Sequence, residues 1–363
     1  MTPKERIYAI LKGGSYDRPA VTPILMAWAA NFIGRNYRDY YLDGDVLVEA
    51  QLAVVKAFNL DQASAISDPW REASAYGMEF DYPPDGVGRP KEAFLRTRED
   101  VSKLKRIPIE IAERPKQRIE SVRKMATRVG RTHSVLGWVE GPLAEYGDLR
   151  GVENAMLDLI DRPDIFAGAG KIIIENAIAF AMAQIRAGAD MVGIGDSAAS
   201  LISPEMYAEL VMPLERKLIA AIHEAGAAAK LHICGNISNI VQHIAKTGTD
   251  IIDVDWMVSL EKARTLAGPQ VTLCGNFNPA GVLFEGTPQD VVAAARECLL
   301  AAAKASAGAG KAAPGRFILM PGCEVPPGTP EANLRAFCPC DGCLVAWPSL
   351  RPDAPRATDS GQA

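Results

Sequence analysis

The chain has no surplus of basic charge. Its 39 Lys and Arg stand against 44 Asp and Glu, a net charge of −5, and no basic stripe interleaved with aromatic residues occurs, so the electrostatic footprint of a nucleic-acid binder is missing. No apolar run reads as long enough to span a bilayer. Residues 1–15 form a charged, amphipathic helical pattern without the apolar core and small-residue cleavage site of an export signal. An even cysteine count is also missing. Seven cysteines in a chain without that signal argue against a disulfide framework and for a reducing cytoplasm, where thiols serve metals or chemistry.

What is present is the composition of an ordinary globular protein, 363 residues with 48% hydrophobic residues, 31 glycines and 25 prolines. Short β-rich runs alternate with longer helical patterns. The runs 21–27, 62–66, 133–139, 190–194, 227–234, 250–255, 270–274 and 316–320 read as eight strands, and 165–187, 204–225, 237–247 and 288–305 as intervening helices. Such alternation implies parallel strands, and eight units over this length predict an α/β fold, a (β/α)8 TIM barrel. Ser203-Pro204, Thr287-Pro288 and Thr329-Pro330 each supply a hydroxyl for a helix N-cap and a proline for the first turn. Segment 68–101 is too long for a tight connection and reads as a hairpin or lid inserted over the C-terminal rim. Residues 1–337 then form one barrel domain, and 338–363, dense in proline and without apolar periodicity, an irregular, disordered tail. Cys338, Cys340 and Cys343 within it are a weak metal-binding spacing.

His232 and Cys234 carry the strongest chemical signal. Two residues apart at the end of a strand, they share a face, and Gly235-Asn236 breaks the chain just after them. Pro321-Gly322-Cys323-Glu324 closes another run and brings a second thiol to the same rim. Two thiols and one imidazole suit zinc with its fourth position open to water or substrate. Barrel active sites lie at the C-terminal strand ends. Glu140, Asp196, Asp253, Asp255, Cys274, Asn276 and Glu324 all fall there. Each also has a bland reading: Asp253 pairing with Lys230 inside the barrel, Asn276 bracing a turn, Glu140 capping a loop.

The spans Ser200-Leu201-Ile202-Ser203-Pro204, His232-Ile233-Cys234-Gly235-Asn236, Cys274-Gly275-Asn276 and Pro321-Gly322-Cys323 resemble the uroporphyrinogen decarboxylase superfamily, and within it the cobamide-dependent methyltransferase branch. The resemblance covers about residues 1–337 and is strongest after residue 190. It implies zinc on His232, Cys234 and Cys323, and methyl transfer between a corrinoid, free as methylcobalamin or bound to a partner protein, and a thiol or a methoxylated or methylated small molecule. Asp196, Asp255 and Glu324 are the expected catalytic groups, with Asp68, Glu140, Tyr146 and Asn276 the expected substrate contacts. Decarboxylases of the superfamily differ at these places. Where they carry paired arginines this chain reads Met26-Ala27-Trp28-Ala29-Ala30-Asn31, and Cys323 replaces their histidine, although Asp68 resembles their pyrrole-binding aspartate and Tyr146 falls in the region of their tyrosine. A decarboxylase acting on a carboxylated tetrapyrrole and a non-catalytic corrinoid carrier stay open as alternatives. So does assembly into a homo-oligomer.

Overall fold

The computed structural model describes residues 1–307 and 315–340. Among them ten strands occur, in chain order β1 Ala20–Val21, β2 Gln62–Ser64, β3 Phe80–Asp81, β4 Arg89–Pro90, β5 Ser134–Glu140, β6 Met191–Gly195, β7 Ala228–Ile233, β8 Ile251–Val254, β9 Thr272–Phe277 and β10 Phe317–Pro321. Eight of them form a parallel sheet in the order β1-β10-β9-β8-β7-β6-β5-β2. The ends of that sheet meet. Asp61 N donates to Val21 O at 3.1 Å, and Val21 N donates to the Asp61 carboxylate at 2.7 Å, which closes the sheet into a (β/α)8 barrel.

Every predicted strand is present, and the first is cut to two residues. Pro23 has no N–H to donate, so the ladder stops there. The insertion carries the antiparallel hairpin β3–β4. Ser203 accepts from Met206 N and Thr287 from Asp290 N as helix caps. Thr329 does not cap, because the following helix, Glu331–Phe337, begins one residue later.

Helix Pro3–Leu11 opens on a Thr2–Glu5 capping box and plugs the N-terminal end of the barrel. Its Ile7 and Ile10 join Ala20, Leu136, Met191, Ala228, Ile251 and Ile318 in the inner core. Trp138, also inside, lies where Cβ atoms on Gly193 and Gly195 would sit, 2.2 and 2.8 Å from its ring. Both glycines of β6 are therefore required by packing. A second, larger apolar cluster fills the layer between strands and helices.

Two expectations need correction. Helix Pro163–Arg186 is long and apolar enough to cross a membrane by length and composition, although no such run was evident in the sequence. Here Phe166, Ile173, Ile174, Ala177 and Phe180 are buried, and Gln184 bonds both N and O of Trp138 on β5 at 2.9 Å. That helix belongs to the barrel's outer layer. The packed chain also runs past residue 337, since Cys338 is fully buried and Asn59 donates to Pro339 O at 2.8 Å. Cys343 and the rest of the expected tail, 341–363, lie outside the described residues.

Gly193→Ala should destabilise the fold by about 1–3 kcal/mol, because the added methyl overlaps the indole of Trp138. Urea denaturation measures this, and a Trp138→Leu background should recover part of the loss.

Candidate metal centre at the barrel mouth

Alternation along β7 places Ala228, Lys230 and His232 on the inner face, with Lys230 and His232 both buried. Strand register puts His232 beside Asp253 and Asp253 beside Cys274. Cys234 follows β7 directly, and Cys323 lies just past β10. The three ligand atoms converge across the mouth: His232 Nε2 is 3.0 Å from Cys234 Sγ and 3.8 Å from Cys323 Sγ, and the two sulfurs are 3.9 Å apart. Tetrahedral zinc with bonds of about 2.3 Å to sulfur and about 2.0 Å to nitrogen separates two sulfurs by about 3.8 Å and sulfur from nitrogen by about 3.6 Å. Two of the three edges match and the third is shorter, so the donor set fits zinc in both chemistry and spacing.

Backbone devices hold these ends together. Gly322 is packed so closely that a Cβ would lie 2.3 Å from Trp256 N, and its own N–H donates to Phe277 O at 2.9 Å. Gly235 adopts a positive φ of 86°, a conformation glycine takes without steric cost. Its N–H donates to Asp255 Oδ2 at 2.9 Å, while Asp255 Oδ1 accepts from Met257 N at 3.1 Å.

The electrostatics are those of a buried charge network. Lys230 Nζ lies 2.8 Å from Asp253 Oδ2, the pairing the sequence suggested, and His232 Nδ1 approaches the same oxygen at 3.4 Å. Burial opposes charge on all three groups. Attraction outweighs it: Asp253 raises Lys230, the Cys234 sulfur and then Asp253 raise His232, and the two bases lower Asp253. In the coupled cysteine pair, the hydrogen bond with Cys234 pulls Cys323 down against burial, and the same contact together with burial pushes Cys234 up. Cys323 is the more acidic thiol of the pair.

The other expected residues are distributed around this centre. Glu324, next to Cys323, is pushed up to about 7, mainly by burial, and accepts from Ala27 N at 3.4 Å. Asn276 braces the loop after β8, donating to Val258 O at 2.6 Å and Asp255 O at 3.1 Å. Asp196 is fully buried and accepts from Ala144 N at 2.6 Å and Leu143 N at 3.4 Å, with burial pushing it up to about 7. Glu140 takes a hydrogen bond from Trp138 Nε1 at 3.1 Å. Asp68 is clamped by Arg114 through both oxygens, at 2.6 and 2.9 Å, which holds it down to about 2 although burial works the other way. Tyr146 sits among helices, its hydroxyl donating to Asp158 at 2.8 Å and its ring edge-on to Phe166. Cys274 lies below the ligand group and is fully buried, with its thiol 3.9 Å from Thr22 Oγ1. Sequence reasoning missed Glu72, Glu145, Asp148 and Arg118, which also reach the mouth. Glu145 and Asp148 are spaced i, i+3 on the helix after β5, a signal visible only once that helix is known to be buried.

The fold and the His/Cys/Cys group define a class: a (β/α)8 barrel with an imidazole and two thiols converging at its C-terminal mouth. The family model for uroporphyrinogen decarboxylase matches residues 2–340, and the chain belongs to that family. A methylcobamide:CoM methyltransferase from Methanosarcina mazei is 28% identical over 93% of this chain and 97% of its own length. A uroporphyrinogen decarboxylase from Crocosphaera subtropica is 29% identical over 90% of this chain and 92% of its own. Among solved structures, a methyltransferase from Methanosarcina mazei superposes with a TM-score of 0.80 at 23% identity, covering 93% of this chain and 97% of that one, which shows a shared fold.

Alanine at His232, Cys234 or Cys323 should abolish stoichiometric zinc by elemental analysis, whereas Cys274→Ser should keep it. Asp253→Asn should cost about 3–5 kcal/mol by leaving Lys230 buried and uncompensated, and Lys230→Met in the same chain should restore much of the loss in thermal unfolding.

Proposed function

We propose that the chain transfers a methyl group between a corrinoid, as methylcobalamin or carried on a corrinoid protein, and a thiol or a methoxylated or methylated small molecule, with zinc on His232, Cys234 and Cys323. The convergence of those three ligand atoms within 4.8 Å of one another carries the reading. Family membership alone leaves two activities among the relatives, and the ligand group favours the methyltransferases. So does Asp68, because each of its oxygens already accepts two hydrogen bonds, from Arg114 and Ser67 Oγ on one and from Arg114 and Trp70 N on the other, which leaves no acceptor site for pyrrole nitrogens. Zinc held by these residues would lower the pKa of a bound thiol or would serve as a Lewis acid toward a departing group.

The chain's own residues set up this chemistry. Asp253 faces His232 Nδ1 and turns Nε2 toward the sulfurs. Asp255 pins the backbone after Cys234. Glu324, half-buried beside Cys323, would accept a proton from an arriving thiol. On the loops after β6 and β8, Leu201, Trp256 and Met257 expose large apolar side chains at 62%, 44% and 52%, a surface suited to a partner that presents the corrinoid. A reducing compartment, the cytoplasm, keeps Cys234 and Cys323 unpaired.

A panel of thiols with methylcobalamin tests the reading through the ultraviolet-visible spectrum. The zinc-replete chain should convert methylcobalamin to its cobalt(I) form with a rate that rises with pH until the thiol is ionised, and His232→Ala should not. Release of carbon dioxide from a carboxylated tetrapyrrole, with no spectral change across thiols and methyl donors, would favour the decarboxylase instead.

A further inference from the structure

Four carboxyl groups gather beside the metal centre with little to neutralise them. Glu140 ends β5 in register with Gly195, and Gly195 with His232, so two strand spacings, roughly 10 Å, separate Glu140 from His232 along the rim. Glu72 comes from helix Arg71–Ala75, and Glu145 and Asp148 from helix Pro142–Arg150. Glu72 and Glu145 are 3% exposed and Glu140 is 8% exposed, while Asp148 is half-buried with one carboxylate oxygen shut off from solvent. Donors run short. Glu140 N serves one oxygen of Glu72 at 3.0 Å, yet Glu72 Oε2, Asp148 Oδ2 and both oxygens of Glu145 meet none.

The neighbouring arginines are mostly engaged elsewhere. Arg118 gives its Nη groups to Trp138 O, Ser67 Oγ and Asp68 O; its Nε meets no acceptor, and its charge offsets only part of the burial of Glu72 and Glu140. Arg114 clamps Asp68, and Arg71 bonds Ser67, Gln117 and two backbone carbonyls. Buried carboxylates without donors are strongly unfavourable as anions. Burial and mutual repulsion accordingly push Glu140, Glu145 and Asp148 well above the usual carboxylate range. A positive charge delivered by a ligand would relieve both effects.

The geometry also selects the kind of cation. Among the described residues, the group with three metal-ligating atoms within 4.8 Å of one another is His232, Cys234 and Cys323; the carboxylates do not converge in that way. A wider ring of acids suits a diffuse organic cation. We infer that Glu72, Glu140, Glu145 and Asp148 form a subsite for an ammonium-bearing small molecule. Binding stands on this cluster alone, whereas its consequence rests on the proposed methyl transfer: the methyl donor is a methylated amine. In that step the C–N bond breaks with its electron pair returning to nitrogen, and the methyl group passes to a cobalt(I) corrinoid, which becomes methylcobalt(III).

Titration calorimetry on the zinc-loaded full chain tests the subsite with choline and its neutral isostere 3,3-dimethylbutan-1-ol, in which carbon replaces nitrogen. Choline should bind at least about tenfold more tightly, and Glu145→Gln or Asp148→Asn should each weaken it about tenfold without lowering Tm, since each removes an unpaired buried acid. Choline binding retained in Cys323→Ala would support the subsite whatever becomes of methyl transfer. Equal affinity for the two probes would overturn it, as would saturable Mg2+ binding lost in Glu145→Gln with choline ignored. Methyl transfer to a thiol by a chain that binds no ammonium would overturn the subsite and leave the proposed function standing.

Discussion

The mouth of the barrel depends on one buried ion pair. Lys230 sits 1% exposed inside β7, where an ammonium group is tolerable only with a partner, and Asp253 supplies it from the adjacent strand at 2.8 Å. The same carboxylate oxygen faces His232 Nδ1, so the group that compensates the lysine also orients the imidazole. Lys230 and His232 are two residues apart and share a face, so both are served from a single register position on β8. Removing Asp253 would thus leave a lysine uncompensated and a ligand unaimed at once.

From that fixed strand the remaining positions follow through backbone contacts. Asp255, two residues beyond Asp253, reaches the amide after Cys234. Gly322 lets the loop bearing Cys323 lie against Trp256, and Asn276 ties β9 to the same β8 loop. Three strand ends are thereby locked to one another around the sulfurs, and the ligand atoms need little rearrangement to accept a metal ion.

Much of this was legible before any coordinates. Period-two apolar runs located all eight strands, and the spacing of His232 and Cys234 placed an imidazole and a thiol on a common face because that period fixes it. Cys323 was legible as the thiol at another strand end, and Lys230–Asp253 as an interior pair. What was hidden depends on tertiary contacts. Tyr146 follows the right strand but is turned to Asp158 by helix packing, which no local pattern encodes. Asp68 reads as an open carboxylate until Arg114, 46 residues away, is seen to clamp it. The apolarity of helix Pro163–Arg186 was obscured by scattered charges, and the acid cluster is assembled from the end of β5 and two helices whose burial only the closed barrel reveals.

Relatives named for methyl transfer and for decarboxylation stand at nearly equal distance, 28% and 29% identical, so whole-chain similarity does not separate the two chemistries. The proposed methyl transfer rests instead on local chemistry, an imidazole and two sulfurs whose spacing fits zinc. X-ray absorption at the zinc edge of the purified protein tests that claim most directly. The account predicts two sulfur ligands, one imidazole and one exchangeable light atom, with a third sulfur replacing the light atom when a substrate thiol is added. Zinc absent from the protein, or bound in a shell without sulfur, would contradict it.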